Sequence, residues 1–370
     1  MPLSRVTPEH YDAVLAAKIG GFREAFLALG APTPAIYPSA PLGFRLRAEF
    51  RLWHTDNQVH YVMFSQEAPK TPVIIDQFPI GSPAIQALMP TLLAAINASE
   101  VLRRKIFQLE FLTTLAGDKL VTLIYHRTLN EDWQVAAETL AADLGIYLVG
   151  RSRKQKRVVG GDWVTETLSI RQRDYYYRQP EQAFTQPNGH VNETMIDWAV
   201  QQSTHLGDDL LELYCGIGNF TLPLAEHFNH VIATELSKKS TAAAEFNRVT
   251  NGIDNIEFAR LSAEEMSSAL AGERLFQRLA HLKKPLANYS LNTLLVDPPR
   301  AGLDDKTLDL ASTFDNIIYI SCNPETLLNN LTTLTRSHTI EQLAFFDQFP
   351  YTPHLESGVL LRRKDDSITT

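Results

Sequence analysis

Along residues 44–54, FRLRAEFRLWH, apolar and polar positions alternate with a period of two. The same alternation returns in HYVMFS (60–65), IFQLEFLTTL (106–115) and KLVTLIYH (119–126). Successive side chains of an extended strand point to opposite faces, so these stretches predict antiparallel strands with one covered face. Apolar residues at helical spacing predict helices over 11–29, 84–96 and 132–144. The first half therefore reads as an α+β module. Past residue 190 the pattern changes to short apolar runs separated by helical stretches: DLLELY (209–214), HVIATE (230–235), NIEFAR (255–260), NTLLVD (292–297) and NIIYIS (316–321), then EQLAFFDQF and GVLLRR. Strands alternating with helices predict βαβ units and a mostly parallel sheet, an α/β architecture. The segment RQPEQAFTQPNGHVN (178–192), rich in Pro, Gln and Asn, reads as the crossing between two domains, 1–180 and 181–370.

Charge sharpens that division. The net charge of −8 argues against a polyanionic partner, but it is unevenly spread. Residues 1–180 carry 20 Lys/Arg against 17 Asp/Glu, and residues 181–370 carry 14 against 25. GRSRKQKR (150–157) places five basic residues between Arg151 and Arg157, which reads either as a solvated loop or as a docking surface for phosphates. The start, MPLSRVTPEHYDAVLAAKIGG, has no apolar signal core and no run is long enough for a membrane span, so a cytoplasmic protein without membrane contact is expected. Cys215 and Cys322 cannot by themselves form a four-thiolate site, and no metal or iron–sulfur cluster is expected.

In a parallel sheet, ligands gather at the carboxyl ends of the strands. The first α/β strand ends in LYCGIGNF, where Gly216 and Gly218 allow a tight turn into a helix; the next ends in Glu235, an acceptor suited to a ribose diol. This pair fits a dinucleotide or S-adenosylmethionine. The turn has Asn219-Phe220-Thr221 where a pyrophosphate fingerprint needs its third glycine, which favours the methyl donor. A later strand ends in Asp297-Pro298-Pro299-Arg300, a rigid loop holding Asp297 at the strand end. Cys322 ends the following strand, with Asn323 suited to cap a helix and Pro324 to open it. A helix N-terminus lowers a thiol pKa, so the local sequence predicts a nucleophilic thiolate; a small buried hydrophobe is the alternative for Cys322 and the expectation for Cys215.

ELYCGIGNF, VDPPR, SCNPETL and FDQFPYTPHLESG together resemble the S-adenosylmethionine-dependent RNA uracil-5-methyltransferases. FRLRAEFRLWH, FQLEFLTTL and FTQPN are similar to the branch of that family acting on tRNA, as is the absence of cysteine from the first half. The resemblance implies a Rossmann-like methyltransferase domain behind an N-terminal α+β RNA-binding domain, and ribothymidine formation at position 54 of the tRNA T-loop. It assigns Cys322 as nucleophile toward uracil C6 and Glu356 as the base that removes the C5 proton. It places Gln186, Tyr214, Asn219, Glu235 and Asp297 around the methyl donor, with Asp297 also reaching the target base. It sets Glu49, Arg51 and Phe107 toward the T-arm. A monomer is expected, with other RNAs bearing T-loop-like arms as further candidate partners. The residues alone leave open cytosine-5 or base-nitrogen methylation, and an RNA-binding or tRNA-folding module.

Overall fold

The computed structural model describes residues 3–64 and 69–365; Ser65, at the end of the expected 60–65 strand, lies outside the described residues. The chain divides into two compact units. One comprises Met1–Tyr11, Ala40–Thr167 and Arg178–Gly189; the other comprises Asp12–Ser39, Leu168–Tyr177 and His190–Thr370.

The first unit is built on a seven-stranded sheet. Within it, strand Arg47–Thr55 pairs antiparallel with Gln58–Phe64 on one side and with the central strand Ile106–Thr113 on the other. Ala48, Phe50 and Leu52 are buried, whereas Glu49, Arg51 and Trp53 are exposed, as the alternation predicts. Two helices cover the apolar face. Pro83–Ala98 starts at Ser82, whose side chain accepts from the Ile85 N–H, and buries Ile85, Leu88, Met89, Leu92 and Ile96 along one stripe. Glu131–Leu144 is capped by Asn130 and ends at Gly145 in the left-handed conformation. Its Trp133 is fully buried where Gly150 leaves room: a Cβ built on Gly150 would stand 2.1 Å from the indole. A two-stranded ribbon, Trp163–Ile170 and Arg173–Pro180, follows.

The second unit holds an eight-stranded sheet. Asp209–Leu213, His230–Thr234, Ile256–Ala259, Leu291–Val296 and Asn316–Ser321 run parallel to one another. Glu356–Arg363 then inserts antiparallel between Asn316–Ser321 and His338–Phe346. The far edge is closed by the three-residue strand Ala35–Tyr37, parallel to Ala344–Phe346. The inner strands are buried along nearly their whole length, as a sheet with both faces covered requires. The five parallel strands are the five expected from their apolar runs. The sheet is Rossmann-like, and the two units interleave along the chain, with residues 12–39 and 168–177 belonging to the second.

Candidate active site

Three neighbouring strands bring the central residues together. Val296 is in register with Tyr319 and Ser321 with Ser357. Asp297, Cys322 and Glu356 each stand at the same end of these adjoining strands. The antiparallel run of the last strand matters here. Its beginning, rather than its end, shares the edge where the parallel strands finish.

The turn at Cys322 is fixed by local bonds. Asn323 caps helix Pro324–Leu334, its side chain accepting from the Glu325 N–H, and Pro324 opens the helix as the sequence predicts. The Ser321 hydroxyl accepts from the Asn323 N–H at 3.2 Å. Asn323 Nδ2 and Thr326 Oγ1 both donate to the Arg300 carbonyl at 3.2 Å, tying the Asp-Pro-Pro-Arg loop to the thiol turn.

The electrostatics depart from the expectation of a thiolate. Burial pushes the Cys322 thiol up to about 11; the Glu356 and Asp297 carboxylates act in the same direction, and Arg300 opposes them. The helix N-terminus is present, but desolvation and two facing carboxylates outweigh it. Those carboxyls are themselves perturbed. Burial lifts Asp297 to about 7. Glu356, 2% exposed, is raised well above the ordinary carboxylate range by burial and then by Asp297, against Arg300. Among the described residues its Oε2 has no hydrogen-bond partner, an acceptor left for something else. Burial also lifts Glu212, on the next strand, to about 8. Arg300, exposed and flanking this acidic group, and Glu212 are neighbours that motif reading passed over.

The expected donor residues gather at the ends of the first two parallel strands of this unit. Gly216 and Gly218 take left-handed φ of 58° and 87°, and a Cβ on Gly216 would meet nothing within 4 Å. Glu235 joins the two turns, one oxygen accepting from the Gly216 N–H at 3.2 Å and the other from the Ser237 N–H at 2.6 Å. Each carboxylate oxygen keeps a further lone pair for a ligand hydroxyl. Asn219 exchanges two 2.9 Å hydrogen bonds with Asn192, an orienting partner the sequence did not reveal. Tyr214 holds φ 62°, rare for a bulky residue, at the strand end. Open space before Gly216 and an acid with spare acceptors fit an adenosyl ligand. Gln186 is carried by the first unit. Among the described residues no cluster of three or more His, Cys, Asp or Glu could hold a metal ion, and Cys215 is a buried free thiol.

Glu49, Arg51 and Phe107 lie together on the first unit's polar sheet face. Glu49 is opposite Glu110 and Arg51 opposite Gln108. The Arg51 guanidinium lies 4.0 Å from the Phe107 ring centre, and Phe107 stacks on exposed His126 at 4.2 Å. Phe107 is half-buried, not core, and its ring already has two stacking partners. The basic run 151–157 is less available than its composition suggests. Arg151 pairs with buried Glu181 at 2.5 Å, Lys156 with Asp162 at 2.6 Å, and Arg157 with Glu131 at 3.2 Å. Arg153 and Lys154, at the hairpin turn, are exposed.

A Rossmann-like sheet with a glycine turn, a ribose-type acid and an Asp/Cys/Glu group at one edge defines an S-adenosylmethionine-dependent methyltransferase. A family model described as tRNA (Uracil-5-)-methyltransferase matches residues 10–364. The chain is 51% identical over 363 residues to a protein of Azoarcus sp. strain BH72, covering 98% of this chain and 99% of that one. It is 53% identical over 364 residues to one of Stutzerimonas stutzeri, covering 98% and 100%. Both relatives are named tRNA/tmRNA (uracil-C(5))-methyltransferase. The crystal structure of Pyrococcus abyssi tRNA (uracil-54, C5)-methyltransferase with S-adenosyl-L-homocysteine shares the fold, with a TM-score of 0.73 at 21% identity over 96% of this chain and 85% of that one. The chain belongs to the tRNA (uracil-5-)-methyltransferase family.

Proposed function

We propose that this enzyme methylates C5 of uridine 54 in the T-loop of tRNA, with Cys322 as nucleophile and Glu356 as base. The reading rests on one observation above others: a thiol and a buried carboxyl with an unpartnered oxygen face each other across adjoining strand ends. Uracil C5 is a weak nucleophile, and covalent attack splits the difficult step in two. Cys322 loses its proton to solvent and its thiolate forms a bond from Sγ to C6; the displaced electron pair of the C5–C6 double bond, shared with the ring carbonyl as an enolate, makes C5 nucleophilic. S-Adenosylmethionine, when bound, would supply the methyl group to C5, its methyl–sulfur bond breaking with the electron pair left on sulfur as S-adenosylhomocysteine. Once C5 carries the methyl, Glu356 takes the C5 proton, the electron pair restores the C5–C6 double bond, and the C6–S bond breaks to release the thiolate.

Glu235, Tyr214, Asn219, Gly216, Gly218 and Gln186 would hold the donor, with Asp297 between donor and base. Glu49, Arg51 and Phe107 would face the T-arm from the α+β domain, the division falling near residue 180. Relatives named for tmRNA as well as tRNA make other T-loop-like arms plausible substrates. A cytoplasmic monomer completes the reading. The test is transfer of labelled methyl groups into unmodified tRNA and into the same tRNA with cytidine at position 54. Label in the first only, recovered as 5-methyluridine, is the expected result; equal label in both would exclude this target.

A further inference from the structure

We infer that Lys18 is a positioning residue for Glu356, acting from a helix more than three hundred residues away in the chain. The inference rests on the reading of Glu356 as base. Lys18 lies on helix Tyr11–Ala28 and its side chain is 4% exposed, an uncommon state for a lysine. Its ammonium donates to Asp347 Oδ1 at 2.5 Å, to the Phe349 carbonyl at 3.0 Å and to the His354 carbonyl at 3.1 Å. All three of its protons are thus used. The three acceptors span the segment that joins His338–Phe346 to Glu356–Arg363.

That segment makes a tight reversal with Tyr351 in the left-handed region at φ 61°. Its other bonds act locally or on one end: the Asp347 N–H donates to the Tyr37 carbonyl at 3.0 Å, Thr352 Oγ1 to the Phe349 carbonyl at 2.8 Å and the His354 N–H to Thr352 Oγ1 at 3.3 Å. Lys18 ties the beginning, Asp347, to the end, His354, two residues before Glu356. The helix carrying it is fixed in turn: Phe26 packs edge-on against Phe345 with ring centres 5.4 Å apart. The lysine therefore sets where the last strand begins, and with it where the carboxyl stands relative to Cys322. An error of about 1 Å in a catalytic group can cost on the order of 100-fold in rate.

The test uses full-length Lys18→Met and the double variant Lys18→Met/Asp347→Asn, the latter removing both buried charges in case the single variant fails to fold. With 5-fluorouridine-substituted tRNA, both should form the covalent adduct at the wild-type rate, since Cys322 is untouched. With ordinary tRNA, kcat should fall at least about 10-fold while the KM values for tRNA and S-adenosylmethionine change less than about threefold. Methylated enzyme–RNA adduct should then accumulate at steady state. Product release at the wild-type rate by a folded variant would overturn the inference, as would a parallel loss of adduct formation and release, the mark of a merely structural role. Wild-type enzyme that forms no adduct with 5-fluorouridine tRNA would instead overturn the covalent mechanism itself.

Discussion

Cys322 and Glu356 occupy facing positions just beyond the Ser321–Ser357 pair, where a parallel strand finishes and its antiparallel neighbour begins. A thiol and a carboxyl so placed can act on two adjacent carbons of one planar ring, and each can be tested separately.

Cys322→Ala should abolish the adduct with 5-fluorouridine tRNA and lower turnover by at least about 10³-fold. Glu356→Gln should still form the adduct and should trap the methylated form on ordinary tRNA. Denaturing gels with labelled RNA distinguish the two, and rapid product release by Glu356→Gln would remove its assignment as base.

Arg300 and Glu356 act on the thiol in opposite directions. Asp297, at about 7, is already ionised at the alkaline pH where Cys322 titrates. Removing a facing carboxylate should lower the thiol pKa and removing the guanidinium should raise it. Alkylation by iodoacetamide near pH 9 should therefore be about threefold faster in Glu356→Gln and about threefold slower in Arg300→Gln. Buried Cys215, whose thiol is also raised, should contribute little.

Asp297 predicts a pH-dependent stability change. Its pKa rises from 3.8 to about 7 on folding, so the native state holds this proton more tightly than the unfolded chain. Stability is lost as pH climbs between those values and stays lower above them. Asp297→Asn lacks that loss. Its advantage over wild type in urea melts should be greater at pH 8 than at pH 5.5 by on the order of 1 kcal/mol, after allowance for partial exposure. An advantage independent of pH would mean the group is not desolvated as described.

The basic hairpin should separate into two kinds of residue. Arg153→Ala/Lys154→Ala should leave the melting temperature unchanged and, if this turn meets phosphates, reduce the salt slope of tRNA binding by up to about 1.8. Arg151→Ala should destabilise the protein, because buried Glu181, 3% exposed, loses its bidentate partner and keeps only Lys156 at 3.3 Å and the Thr122 hydroxyl at 3.2 Å. A salt slope altered by Arg151 but not by the exposed pair would reverse this division.

The parallel strands and the motif positions were legible because each carries its own signal: an apolar run, then Gly, Asp-Pro-Pro or Cys-Asn-Pro at its end. Features settled by distant partners were not. Ala35–Tyr37 is too short to stand out and exists through pairing with Ala344–Phe346. The ribbon turn places Arg171 and Gln172 at φ 49° and 68° without the Asn-Gly or Gly that would announce it. The raised thiol pKa is illegible in sequence for the same reason: the helix N-terminus is local to Cys322, whereas the opposing carboxyls arrive from other strands. Lys18 reads as one more polar residue on an amphipathic helix until the segment 347–354 folds over it.

The last strand is hydrogen-bonded on both sides, and Glu356–Leu361 is buried throughout. Slippage by one residue would turn every side chain to the opposite face, moving Ser357 into the place of Glu356 and exporting the carboxyl from the site. Two flanking ladders make that slip costly twice over, so the place of the Glu356 carboxyl is indexed by sheet register. Insertions in the preceding loop should then leave Glu356 as the residue opposite the thiol, while changing how closely its carboxyl is held there.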